Sequence, residues 1–167
     1  MTIRSERLDL VVLPRGFLER VLDGAARPDL GFSDPDDVLR GAGDVVELRI
    51  AQLEANPALE PWLLRAVVVR ETGIAVGFCT FHREPDERGV VEIGYEIAPA
   101  YRRRGYAREV IRAMAAWAGS HGARTLRASV GADNVASLAL VRGEGFALVG
   151  EQIDEVDGRE LVFERPV

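Results

Sequence analysis

Apolar positions along this chain follow two periods, and the changes between them mark out the elements. From Leu64 to Ile97 the pattern is β-like: Leu64–Val69, a turn at Glu71-Thr72-Gly73, Ile74–Phe81, a turn near Asp86-Glu87-Arg88-Gly89, then Val90–Ile97. Short polar turns between such runs predict an antiparallel meander. Upstream, Arg7–Val12 reads as a first strand ended by Pro14 and Gly16, with a short helix around Phe17 to Leu22. The stretch Asp29 to Gly43 holds Pro, Gly and aspartates and predicts loop with short helical turns. A helix with a ragged apolar face follows from about Asp44 to Ala55 and ends before Asn56-Pro57.

Downstream the period changes to helical. Tyr106 to about Gly119 places Val110, Ile111, Met114 and Trp117 on one face, a core-facing stripe closed by Gly119 and Gly122. Arg124–Val130 is the next strand, and the intervening helix lets it run parallel to Val90–Ile97 as a right-handed β-α-β unit. Asp133-Asn134 starts a further helix through Leu140, which Gly143 and Gly145 stop. A final hairpin, Phe146–Ile153 and Glu160–Phe163, turns at Asp157-Gly158. The expected fold is therefore α/β: a mixed sheet with an antiparallel N-terminal meander and a central parallel β-α-β unit. No linker, repeat or low-complexity run divides residues 1–167, which read as one domain.

Between the last strand of the meander and the helix lies Tyr101-Arg102-Arg103-Arg104-Gly105-Tyr106-Ala107. A strand entering a glycine turn and then a helix leaves backbone N–H groups unpaired, with the positive end of the helix dipole behind them. Three arginines beside it supply forked donors suited to a diphosphate. The alternative is a solvated arginine rim.

Composition narrows the chemistry. A net charge of −6 argues against general nucleic-acid binding. All 21 basic residues are arginine, which excludes Schiff-base chemistry on lysine. The single cysteine, Cys79, lies in an apolar strand pattern and reads as a core residue. With only His82 and His121 beside it, no metal-ligand cluster is expected. No leader is evident and no apolar run approaches the roughly 20 residues that span a bilayer, so a cytoplasmic location without membrane attachment is expected.

Ile93-Gly94-Tyr95-Glu96-Ile97-Ala98-Pro99, the loop Arg102-x-x-Gly105-x-Ala107, and Asn134-x-x-Ser137 followed by Gly145-Phe146 together resemble the GNAT superfamily of acetyl-CoA-dependent N-acetyltransferases. Within it the chain looks most like the bacterial RimJ/RimL-type branch, whose first-strand entry Ser5-Glu6-Arg7-Leu8 resembles. The resemblance implies that Arg102, Arg103, Arg104, Gly105, Tyr106, Ala107 and Arg108 hold the coenzyme A pyrophosphate. It implies that main-chain groups at Ile97 and Ala98 pair with pantetheine and polarise the thioester carbonyl. It assigns Asn134 to the pantetheine arm, with helix capping as the alternative for Asn134 and Ser137.

Amine acetylation needs a deprotonated amine and a proton for the leaving thiolate. Glu92 and Glu96 share one strand face by period-two alternation. Glu92 matches the position some superfamily members use as general base; a solvent-facing strand carboxylate is the alternative. Where many GNAT enzymes carry an acid tyrosine, this chain has Val141, which leaves Ser137, a water, or no dedicated acid; Tyr95 and Tyr106 read as packing residues. His82 reads as a strand-end residue, His121 as a surface residue, and Trp62 as a seal on the core or an acceptor-pocket wall. The implied function is acetyl transfer from acetyl-CoA to a primary amine, either a protein N-terminus or a small cationic amine, in a ternary complex and with no metal. The alternative is a catalytically weak acyl-CoA-binding regulatory module. The acidic stretch Asp29 to Glu60 is a candidate acceptor wall favouring cations, and the final hairpin a candidate homodimer edge.

Overall fold

A computed structural model describes residues 1–154 and 158–167. Its strands are β1 (Thr2–Arg4), β2 (Leu8–Val12), β3 (Arg65–Val69), β4 (Ile74–Phe81), β5 (Val90–Ile97), β6 (Thr125–Gly131), β7 (Ala147–Asp154) and β8 (Gly158–Pro166). Its helices are α1 (Arg15–Asp23), α2 (Gly43–Ala55), α3 (Tyr106–Ser120) and α4 (Val135–Gly143). The strands form one eight-stranded sheet in the order β1-β2-β3-β4-β5-β6-β8-β7. Every pairing is antiparallel except β5 with β6. The predicted meander and β-α-β unit are both present.

Alternation along the strands feeds two cores. On one face α3 buries Val110, Ile111, Met114, Ala115 and Ala118 in the cluster that holds Val91, Ile93, Ile97, Leu126, Ala128 and Val130. On the other, Phe17, Leu18 and Val21 of α1 and Val46 and Leu53 of α2 cluster with Ala66, Val68 and Phe78. Val67 and Ala66 thus face opposite sides, as a period of two requires. Trp62 seals the first core edge-on to Phe81 and Trp117. Cys79 is fully buried and burial pushes its thiol up to about 12, consistent with an inert core residue. His121 is exposed and stacks on Trp117.

Three differences from the sequence reading have physical causes. Strand β1 is only three residues long, too short to show a period, and is defined by its pairing with β2. Strand β8 runs to Pro166, beyond the expected Phe163, because it lies between β6 and β7 and its polar end is held across strands, Arg127 donating to Glu164 at 2.9 Å. Helix α4 continues to Gly143 because Leu138 and Val141 bury against the first core. Of the hairpin turn, Gly158 adopts φ 74°, and Asp157 lies outside the described residues. Among the described residues, no helix is long and apolar enough to cross a membrane, and no cluster of His, Cys, Asp and Glu is placed to hold a metal.

Candidate active site

The sheet opens where β5 and β6 meet. Their parallel pairing covers Val90↔Thr125, Val91↔Leu126 and Glu92↔Arg127, yet β5 continues to Ile97 and β6 to Gly131. On its other side β5 stays paired with β4. His82 N–H donates to Glu92 O at 2.9 Å and Ala98 N–H to Val76 O at 2.9 Å, so the even-numbered residues of β5 direct their backbone groups toward β4. By alternation Ile93, Tyr95 and Ile97 direct theirs into the gap. A β-bulge at Val76, where the register jumps from Val67↔Gly77 to Val68↔Ala75, turns the strand beside this opening.

A groove of about 660 Å³ runs from the gap to the start of α3. It is lined by Tyr95, Glu96 and Ile97 of β5, by Arg102, Arg103, Gly105, Tyr106, Ala107 and Arg108, and by Asn134 and Ser137 at the start of α4. Gly105 precedes α3 at φ 82° and no side chain caps the helix. The first-turn amides therefore face the groove without a partner among the described residues, and glycine is the residue that adopts this φ at little cost. Arg103 also takes φ 62°, an uncommon value for a residue with a Cβ, in the segment the helix dipole makes positive. The first-turn carboxylate, Glu109, turns outward to accept from Ser5 Oγ and Arg7 N–H, both at 2.6 Å.

The arginines are not equivalent. Arg102 Nε donates to Ile97 O at 2.8 Å and its Nη2 lies 3.8 Å from Glu96. The carbonyl assigned to pantetheine is thus taken, leaving the Ile97 N–H for the gap. Arg104 donates to Ala100 O, and Arg108 pairs with the buried carboxylate of Glu144 at 2.9 Å. Arg103 has no hydrogen bond or ion pair with any described residue, and is the cation most available to an anion. Arg7 lies 5.0 Å over the Tyr106 ring and donates to Arg104 O at 3.1 Å, supporting the loop from β2. Ala98 does not line the groove, since its N–H is spent on Val76. Asn134 lines it and also caps α4, accepting from Ser137 N–H at 3.1 Å.

Side chains divide between the two sheet faces. Toward α3 and α4, Tyr95 Oη and Ser137 Oγ lie 3.0 Å apart, bridging β5 and α4 across the groove. Burial raises the Tyr95 phenol, so it stays protonated. Val141 is fully buried and offers the groove nothing. Toward α2, Glu92 accepts from Ser129 Oγ at 2.6 Å, and Gln152 donates to Ser129 Oγ at 3.3 Å and to Glu160 at 2.9 Å. His82 Nδ1 stands 3.9 Å from Glu92. Burial holds the His82 imidazole below its ordinary value; Glu92 and Asp154 oppose this, and Arg49 and Arg83 reinforce it. From the sequence His82 could reach a substrate cleft but read as an edge residue, and Ser129 and Gln152 carried no signal. The end of β4 and strands β6 and β7 bring the three toward Glu92 only in the fold. Sequence reading passed over Arg49, at 4% exposure a buried charge on α2.

The family model described as an acetyltransferase (GNAT) domain matches residues 31–147. The chain belongs to the GNAT acetyltransferase family. GNAT acetyltransferases use acetyl-CoA, and this chain is accordingly an acetyl-CoA-dependent N-acetyltransferase. A ribosomal-protein-serine acetyltransferase structure from Vibrio cholerae shares the fold at TM-score 0.69 and 18% identity, over 100% of this chain and 98% of that one. RimL, a ribosomal L7/L12 α-N-protein acetyltransferase, does so at TM-score 0.68 and 15% identity, over 100% and 98%. The microcin C7 self-immunity acetyltransferase MccE, solved with acetyl-CoA and AMP, aligns at TM-score 0.67 and 13% identity, over 97% and 93%. The RimJ/RimL-type architecture read from the sequence is therefore among this GNAT chain's structural neighbours. No curated protein gives a significant match.

Proposed function

We propose that this GNAT enzyme moves the acetyl group of acetyl-CoA to a primary amine by direct attack, with both substrates bound at once. The observation that carries the reading is the opening between β5 and β6, which joins uncapped amides at the start of α3 on one face to Glu92 and His82 on the other. The pyrophosphate takes the first-turn amides and Arg103. The pantetheine arm follows the inward-facing backbone of β5, and an N–H there meets the carbonyl oxygen as negative charge develops on it.

The amine approaches from the α2 side. His82 and Glu92 act together: the imidazole, neutral at pH 7, takes the amine's proton, and the carboxylate stabilises the imidazolium that forms. Attack on the thioester carbon and collapse of the tetrahedral adduct expel the thiolate. The Ser137–Tyr95 hydroxyl pair stands in the groove to return a proton to sulfur. An acyl-enzyme through Cys79 is disfavoured by its complete burial.

Mixing enzyme, acetyl-CoA and an amine panel is expected to release thiol, and acetyl-CoA alone is expected to raise the melting temperature. A thermal shift without thiol release from any amine would instead mark an acyl-CoA-binding module. Ser137→Ala and Tyr95→Phe are each expected to lower kcat by about tenfold, with a double variant little worse than either, because the two hydroxyls act as one unit. Full additivity in that cycle would remove the shared role.

A further inference from the structure

Helix α2 buries Val46, Arg49 and Leu53 on the stripe that faces the sheet. A guanidinium in the middle of an apolar stripe is costly unless an anion accompanies it. None does here: among the described residues, no carboxylate lies within ion-pair distance of Arg49. Its Nε donates to Thr80 Oγ1 at 3.2 Å and its Nη1 to Gln52 Oε1 at 2.6 Å, both neutral acceptors. Gln52 is itself fixed by donating to His82 O at 2.9 Å. The remaining nitrogen, Nη2, donates to no group of the described residues and is not among the atoms sealed from solvent. Arg65, also buried, uses its terminal nitrogens on the backbone carbonyls of Met1, Leu10 and Pro61. Arg49 keeps one in reserve.

Arg49 neighbours His82, one of the two residues assigned above to the amine. Gly94 lies on β5 between Glu92 and Glu96, on the α2 face, and a Cβ there would meet His82 Nε2 and Thr80 Cγ2, each at 3.4 Å. The imidazole and the Thr80 methyl thus close together over Gly94; Thr80 holds the Arg49 guanidinium through its hydroxyl, and His82 stands beside its partner Glu92. The His82 ring feels both charges, the Glu92 carboxylate and the Arg49 guanidinium. A molecule that reaches the His82 imidazole therefore has both a proton acceptor and a cationic donor among its neighbours.

Several carboxylates of the expected acidic wall are meanwhile engaged within the protein. Asp34 and Asp37 pair with Arg27, Asp36 accepts from Tyr101 Oη at 2.5 Å, and Asp29 accepts from Gly31 N–H at 2.8 Å.

We propose that Arg49 binds a carboxylate on the acceptor, which makes the substrate class a small amine that also carries a carboxylate, such as a free amino acid. This rests on the acetyl-transfer reading above. The amine sits at His82 and Glu92, and the carboxylate completes the coordination that α2 leaves open.

The experiment compares thiol release with free amino acids, their carboxamides and short peptides bearing the same N-terminal residue. Wild type is expected to favour the free acid by about 100-fold in kcat/KM, because the carboxamide leaves a buried cation unpaired. In Arg49→Gln that ratio collapses toward unity, chiefly through KM for the acid, while Arg49→Lys restores part of it. An undiminished acetyl-CoA-induced thermal shift reports that each variant is folded, and the wild-type ratio reads the proposal without any variant. Equal use of acid, carboxamide and peptide by wild type overturns it, as does a ratio that survives in Arg49→Gln. Silence toward every amine removes the transfer reading and this inference with it, an outcome distinct from turnover without acid preference.

Discussion

Gly77→Ala is expected to cost about 3 kcal/mol of stability, the upper end of typical overpacking, and to lower the melting temperature by roughly 10 °C. A Cβ on Gly77 would stand 2.1 Å from the backbone oxygen of Glu96, and 3.0 Å from Glu96 C and Ile97 Cα. All three are main-chain atoms, so no rotamer change relieves the contact. The strands must separate or Gly77 must move. Either response displaces Glu96 and Ile97, whose segment lines the groove and accepts the Arg102 hydrogen bond. Loss of stability should therefore come with a raised KM for acetyl-CoA. Gly16→Ala is the control, because a Cβ there meets nothing within 4 Å. Thermal unfolding of the two variants, with and without acetyl-CoA, checks the expectation; an unperturbed Gly77→Ala would show that β4 and β5 tolerate the extra volume.

Glu92→Gln is expected to lower kcat/KM by about 100-fold at neutral pH, within the usual range for loss of acid–base assistance. Glutamine keeps the volume and can still accept from Ser129 Oγ, so the fold should hold. What it removes is the negative charge beside His82. The pH profile supplies the sharper reading. Burial lowers the imidazole, Glu92 and Asp154 raise it, and Arg49 and Arg83 lower it. Without Glu92 the imidazole falls further, so the acidic limb of kcat/KM should move to lower pH as the plateau drops. The wild-type limb belongs below the ordinary histidine value, with activity lost as pH falls through it and His82 takes up a proton. A plateau that drops with no movement of the limb would uncouple Glu92 from His82 and leave Glu92 acting alone or through water.

The two predictions concern residues of different legibility. Glu92 was a candidate from its strand position and family resemblance, because a carboxylate at a set place in a β5-like run survives as a local signal. Gly77 carried no such signal; its role exists only because β5 passes within contact distance of it. His82, standing alone in sequence, gave no reason to prefer catalysis over an edge position. The structure sets it 3.9 Å from Glu92 on the neighbouring strand. Arg49 was hidden in the ragged face of α2, where a charge at a core-facing position reads as noise until its neighbours are known.

Period and punctuation in the chain were enough to determine the meander, the β-α-β crossover and the glycine turn before α3. These depend on interactions within a few residues or between consecutive elements. The tertiary structure alone decided where β5 leaves β6, which arginines are already engaged, and which side chains gather on the two faces of that opening. Those outcomes depend on groups far apart in the chain. Hydrogen bonds such as Ser129 to Glu92, Tyr95 to Ser137 and Arg49 to Thr80 have partners 31 to 42 residues apart, and no local pattern encodes them.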